Sequence, residues 1–207
     1  MTIQLTGISK RFNYDWIFRG IDTSFSNGVT SITGPNGAGK STLLRIIAGY
    51  LTPSEGSISY LRNEQEIDRE NIFKYVSISA PYIELIQEFT TKEMIQFQMG
   101  LKPFRNGLTQ DDVLLVSQLE NQKNKQIKFF SSGMQQRLKT ALAVLADSSI
   151  LLLDEPTTNF DEKAVKWYDE LLMQHLSDRI VLIASNQQRE YTRATSALDI
   201  AKYKTRV

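Results

Sequence analysis

The 207-residue sequence predicts an α/β fold, with a parallel-sheet core, an antiparallel β subdomain at the amino terminus and a helical subdomain in the middle of the chain. Three observations carry that expectation. Residues Gly34-Pro35-Asn36-Gly37-Ala38-Gly39-Lys40-Ser41 form a complete G-x-x-x-x-G-K-[ST] loop. An apolar run, Ile150–Leu153, leads straight into two adjacent carboxylates, Asp154 and Glu155. Strand-like and helix-like segments alternate around both.

The elements follow in order. Short β-like runs occur at Ile3–Leu5, Ile8–Phe12 and Ile21–Phe25, with Asn27-Gly28 as a turn. Val29–Thr33 is the strand entering the glycine-rich loop, and Thr42–Ala48 the helix leaving it. Thr52-Pro53-Ser54-Glu55-Gly56 breaks the chain before a strand at Ser57–Leu61. The charged stretch Arg62–Asn71 reads as a solvated loop, with a partner patch as its alternative. Tyr75–Ser79 is a further strand. From Thr91 to Ala146 the pattern is mostly helical, with polar breaks at Pro103–Gly107 and Glu120–Lys128. A helix around Glu162–Leu176 separates strands Ile150–Leu153 and Ile180–Ala184. Without repeats or a separating linker, residues 1–207 read as one domain whose helical subdomain spans about 85–146.

Composition narrows the function. Hydrophobic residues at 41% and charged residues at 23% indicate a soluble globular chain. A net charge of +1 offers no general electrostatic case for a nucleic-acid partner. Zero cysteines exclude disulfides and thiolate metal sites and fit a reducing compartment. The amino terminus lacks a signal-peptide pattern. No apolar run approaches the roughly 20 residues that span a bilayer. The cytoplasm is the expected setting, and any membrane role requires a partner.

The glycine-rich loop explains itself chemically. Its glycines let backbone N–H groups face phosphates, Lys40 reaches the β and γ phosphates, and the Ser41 hydroxyl is placed to ligate Mg²⁺. The positive end of the following helix, from Thr42, adds to the anion site. Carboxylates that close a buried strand sit at the carboxyl edge of the sheet. There Asp154 can hold Mg²⁺ through water, and Glu155 can polarise a water for attack on the γ phosphate. The bound molecules expected are therefore ATP and Mg²⁺. Phe130-Ser131-Ser132-Gly133-Met134 opens another helix and offers a weaker anion site, since Ser-Ser-Gly is also an ordinary cap.

Together these residues resemble the ATP-binding cassette family of P-loop NTPases, the motor subunits of membrane transporters. Gly34–Ser41 is similar to the Walker A motif and Ile150–Glu155 to Walker B. Phe130–Met134 resembles the family signature, and Pro156–Asp161 the segment leading into the D-loop, closed by Asp161. The resemblance covers essentially the whole chain. It implies that two cassettes pack head to tail around two ATP molecules, with Ser131, Ser132 and Gly133 of one facing nucleotide on the other. A homodimer is the simplest arrangement, with a heterodimer open. A separate permease and a place on the cytoplasmic face of the cell membrane are also implied. In such proteins an early aromatic stacks on adenine. Phe12 holds the matching context, with Tyr14 and Trp16 as rivals.

Two family residues are displaced. Asn186 stands where a histidine contacts the γ phosphate; it can donate a hydrogen bond but cannot exchange a proton near neutral pH. The lone His175 lies too early to substitute. After Tyr75–Ser79 the expected glutamine is replaced by Ala80-Pro81-Tyr82, so either Gln87 takes over through a shifted loop or the contact is lost. Slow hydrolysis that still depends on Glu155 is the expectation. The leading function is the ATPase of a transporter, resembling compact exporter-type cassettes, including the haem-exporter type. The alternative is a soluble nucleotide-gated assembly switch, and a P-loop small-molecule kinase is disfavoured by the signature and Glu155.

Overall fold

Alternating side chains decide how the strands assemble. The computed structural model describes residues 1–204. Strands β1 (Thr2–Phe12) and β2 (Asp15–Phe25) form an antiparallel hairpin, followed by β3 (Gly28–Thr33) and helix α1 (Lys40–Ile47). Strands β4 (Glu55–Arg62) and β5 (Gln65–Glu66) complete a four-stranded antiparallel sheet in the order β2-β1-β4-β5. Next come β6 (Val76–Ser79) and helices α2 (Thr91–Leu101), α3 (Gln110–Val116) and α4 (Ser132–Leu145). Strand β7 (Ile150–Asp154), helix α5 (Glu162–Gln174), β8 (Ile180–Ala184) and β9 (Ser196–Asp199) follow. The second sheet, β6-β7-β8-β3-β9, is parallel throughout.

Strands β7 and β8 are buried along their whole length, which a parallel sheet covered on both faces requires. Their period of two divides the core. Leu151, Leu153, Val181 and Ile183 pack toward α2–α5, whereas Ile150, Leu152, Ile180 and Leu182 pack toward α1 and the antiparallel sheet. Register then sets the site. Ala184 is paired with both Ile32 and Asp154, so the end of β8 lies between the phosphate loop and the carboxylates. Helices α2 and α3 each start with a capping box, Thr90 with Glu93 and Thr109 with Asp112, which fixes where each helix of this region begins.

Three differences from the sequence expectation have physical causes. The two runs in β1 join through an irregularity at Thr6-Gly7, where Gly7 takes a left-handed φ of 59°. Strand β2 starts at Asp15, because Trp16 and Phe18 pair with Arg11 and Lys10 across the hairpin. Strand β9 went unread because only Leu198 of its four residues is buried. The charged segment after β4 is mostly exposed, apart from Ile72 in a 3-10 turn, Arg69–Lys74, that Arg69 ties back to the Leu51 carbonyl at 2.8 Å. Among the described residues no helix is long and apolar enough to cross a membrane.

Candidate functional site

The phosphate loop leaves β3 and wraps onto the start of α1. Gly39 precedes that helix with φ 100°, and an added Cβ there would lie 2.5 Å from Ile17 Cγ2, so both backbone and space demand glycine. The Lys40 ammonium is buried and held on three sides. It donates to the Gly34 carbonyl (2.8 Å), the Pro35 carbonyl (3.3 Å) and Asn186 Oδ1 (2.9 Å). The Asn186 amide in turn donates to Asn36 Oδ1. Ala38 is buried and closes the loop by donating from its N–H to the Pro35 carbonyl at 3.1 Å. Burial lowers the Lys40 pKa, while Glu155 and Asp154 pull it back up.

Asp154 is 1% exposed, and its Oδ2 has no hydrogen-bond partner. Burial pushes its pKa up to about 6, against the lowering effects of the Ser41 hydroxyl and Lys40. An orphaned carboxylate oxygen beside a serine hydroxyl suits a hard cation that takes oxygen ligands and keeps water, as Mg²⁺ does. Glu155 follows with φ 46°, a left-handed conformation that costs a non-glycine residue energy. Its N–H donates to the Ala184 carbonyl at 2.9 Å. A 360 Å³ cavity brings Asn36, Gly37, Gly39, Lys40, Ser41, Thr42 and Glu155 together, with Ile17 as an apolar wall. Gly34 and Pro35 take part through their carbonyls and do not line it.

The predicted signature residues and Asp161 line a separate cavity of 560 Å³, while Asp154 and Asn186 line neither cavity. Ser131, Ser132, Gly133, Asn159, Asp161 and Arg137 line it, and it shares no residue with the first. Ser131 caps α4, accepting from the Met134 N–H at 3.2 Å. A Cβ on Gly133 would sit 3.1 Å from the Asn159 carbonyl, so a glycine lets α4 approach the D-loop segment. Asp161 caps α5, accepting from the Ala164 N–H at 2.8 Å.

Phe12 is half-exposed near the hairpin tip, with the Lys10 ammonium 5.1 Å from its ring centre, and lies outside the phosphate cavity lining. Tyr14 is almost wholly exposed. The guanidiniums of Arg19 (4.3 Å) and Arg11 (5.4 Å) flank the Trp16 ring. His175 ends α5, with burial, Arg105 and Arg179 lowering its pKa. The Gln87 amide donates to the Leu85 carbonyl at 2.9 Å, so a local contact occupies it. Tyr82 instead comes near the carboxylates. Its ring lies 5.3 Å from the Arg45 guanidinium of α1, and burial and the Asp154 charge push its phenol pKa up. Sequence reasoning missed Ile17, Tyr82 and Glu190. Only the Ala80-Pro81-Tyr82 departure hinted at any of the three.

Comparison with known proteins decides the family. The family model described as ABC transporter matches residues 18–158. The chain belongs to the ABC transporter family. As an ABC protein it is an ATP-binding ATPase domain. It is 29% identical over 189 residues to an uncharacterized ABC transporter ATP-binding protein, YybJ, of Bacillus subtilis, covering 91% of this chain and 86% of that one. It is also 29% identical over 194 residues to the human phospholipid-transporting ATPase ABCA7, covering 91% of this chain but only 9% of the relative. Two solved structures share the fold. An ABC transporter ATP-binding protein from Pyrococcus furiosus superposes with a TM-score of 0.83 at 22% identity, covering 99% of this chain and 100% of that one. A dimeric ATP-binding cassette in a post-hydrolysis state with ADP and Pi gives 0.81 at 21% identity, covering 96% and 95%.

Proposed function

We propose that this ABC domain, residues 1–207, drives a separate membrane permease as one of a head-to-tail pair, most simply a homodimer, and works on the cytoplasmic face of the membrane. The carrying observation is the division of the chemistry. Lys40, Ser41 and Glu155 line one cavity, and Ser131, Gly133 and Asp161 line another with no shared residue. A second copy placed against the first supplies each phosphate site with the signature donors it lacks.

Each residue then has a defined task. The loop from Gly34 to Thr42 binds the triphosphate, with Lys40 released from its carbonyl partners to the phosphates. Glu155 orients and polarises the attacking water, and Asn186 donates its amide to the γ phosphate after leaving Asn36. Ser41 and Asp154 would hold Mg²⁺, which when bound neutralises phosphate charge. Phe12 stacks on adenine. An apolar groove of 640 Å³ beside the Ala80–Gln87 loop, walled by Phe73, Phe97 and Leu101, supports permease docking. Its wall residues Ile83, Leu85 and Ile86 follow Tyr82 directly, which links the groove to the nucleotide end of the sheet. Export is the direction proposed, as in the compact exporter-type cassettes that the Ser131-Ser132-Gly133-Met134 segment resembles.

Two measurements test this. Glu155→Gln should double in mass by light scattering on adding Mg-ATP, and Ser131→Arg in that background should stay monomeric while still binding ATP; ATP-loaded monomers throughout would overturn the dimer. The tagged wild type, solubilised from native membranes, should bring down a stoichiometric polytopic protein. A protein found only with soluble partners would favour the assembly switch, a reading that Asn186 supports because it cannot relay a proton.

A further inference from the structure

Beyond the residues that face nucleotide, one buried carboxylate ties the two arms of the site together. Glu190 lies at the end of a 3-10 turn, Gln188–Glu190, four residues beyond Asn186, and is 1% exposed. Its Oε1 accepts from both donors of Thr157, the N–H at 3.0 Å and the hydroxyl. Its own carbonyl accepts from the buried Tyr168 hydroxyl at 3.1 Å. Thr157 is two residues beyond Glu155, in the tight turn that continues to Asp161.

The strand ladder cannot hold that turn. Backbone pairing between β7 and β8 ends at Asp154 and Ala184, with one further bond from the Glu155 N–H. Past it, Glu155 and Asn159 both adopt left-handed φ values, 46° and 67°, which a free turn would relax. Two side chains brace the segment. Gln136 of α4 donates to the Pro156 carbonyl at 3.0 Å, and Glu190 grips Thr157. Glu190 Oε2 has no hydrogen-bond partner. A buried polar side chain with one idle oxygen is an expensive way to fill space, and an apolar side chain would pack at lower cost. Such a violation of local economy is expected where function repays it.

We propose that Glu190 is a positioning residue for ATP hydrolysis, holding the turn that aims Glu155 in fixed relation to the segment that carries Asn186. This rests on the reading of Glu155 as the group that acts on water. The phosphate loop reaches Asn186 through Lys40 and Asn36, Asn186 reaches Glu190 along four residues of chain, and Glu190 reaches Thr157 directly. A shift at the γ-phosphate end therefore moves the Glu155 turn with it.

The test compares steady-state kinetics with equilibrium binding of a fluorescent ATP analogue for Glu190→Ala, Glu190→Gln, Thr157→Val and the control Glu155→Gln. Misaiming the water-activating group should lower kcat of Glu190→Ala about tenfold or more while the binding Kd stays within about threefold. Glu190→Gln keeps an acceptor for Thr157 and should recover at least half of the wild-type kcat. Thr157→Val loses the hydroxyl alone and should fall between them; if Glu190→Ala does not fold, this variant and Glu190→Gln carry the test. Wild-type kcat in Thr157→Val and Glu190→Ala, beside an inactive Glu155→Gln, would overturn the role of Glu190 alone. Parallel loss of binding and kcat, or no recovery in Glu190→Gln, would reduce Glu190 to a folding residue and overturn it equally. Full turnover in Glu155→Gln would overturn the underlying reading of Glu155, and Glu190 would fall with it.

Discussion

The two edges of the parallel sheet bury charge in opposite ways. At the edge where strands β6, β7 and β8 begin, Arg179 is fully buried and donates to the Val144 and His175 carbonyls and to the Ser77 and Ser148 hydroxyls. Burial and Arg105 lower its pKa to about 9, so it remains charged at neutral pH, with both terminal nitrogens on neutral acceptors and only Nε unpartnered. At the edge where β7 and β8 end, Asp154 keeps an unpartnered buried oxygen beside the Ser41 hydroxyl, and Lys40 holds carbonyls that a phosphate would displace. The first arrangement ties a structure together. The second is left incomplete for a ligand to finish.

Breaking this contrast begins with the largest effect. Glu155→Gln should cut phosphate release by about a hundredfold or more while ATP binding persists, since the amide cannot act as a base. Arg179→Met at the opposite edge should do the reverse. It takes the donor from the Val144 carbonyl and leaves the Ser77 and Ser148 hydroxyls with only each other, and should cost about 3 kcal/mol in denaturant melts, with kcat per folded molecule unchanged. Loss of kcat there would show that the two edges are not independent.

Asp154→Asn makes stability respond differently to pH. The carboxyl titrates at about 6 when folded against an ordinary 3.8, so between those values the folded state binds more protons than the unfolded one. Stability from this group is therefore present below pH 3.8 and lost as pH rises through 6. Without nucleotide, Asp154→Asn should be more stable than wild type by about 1–3 kcal/mol at pH 7.5, with the advantage vanishing near pH 4. Thermal melts at both pH values measure it, and a mutant less stable at pH 7.5 would contradict the picture of a site left incomplete. The smallest effect belongs to Asn186→Ala, which should slow turnover about three- to tenfold through loss of one phosphate donor. An unchanged rate would leave Asn186 as a partner of Lys40 in the empty site only.

What could be read from the sequence follows from distance along the chain. The phosphate loop, the Asp154–Glu155 pair and the Ser131–Gly133 cap are each contiguous, so residue type and spacing made them legible as candidates. Strands β7 and β8 were legible because burial on both faces makes them apolar throughout. Strand β9 is an edge with exposed Ser196 and Ala197, and its pairing with β3 leaves no run of apolar letters. Ile17 enters the phosphate cavity from a hairpin distant in sequence, and Glu190 meets Thr157 across 33 residues. Such contacts exist only after the sheet has assembled, and no local pattern announces them.

The position of β3 has a consequence for how the molecule is made. This strand, the first of the parallel sheet to be synthesised, finds its neighbours only in β8 and β9, which are the last. A ribosome that has delivered residues 28–41 has delivered the whole phosphate-loop sequence, yet its supporting strand has nothing to pair with until residues 180–199 emerge. Contacts of this range are slow to form and late to reward the chain. The nascent chain should thus acquire nucleotide affinity in one late step, so that the first ATP captured reports a completed sheet rather than a translated loop.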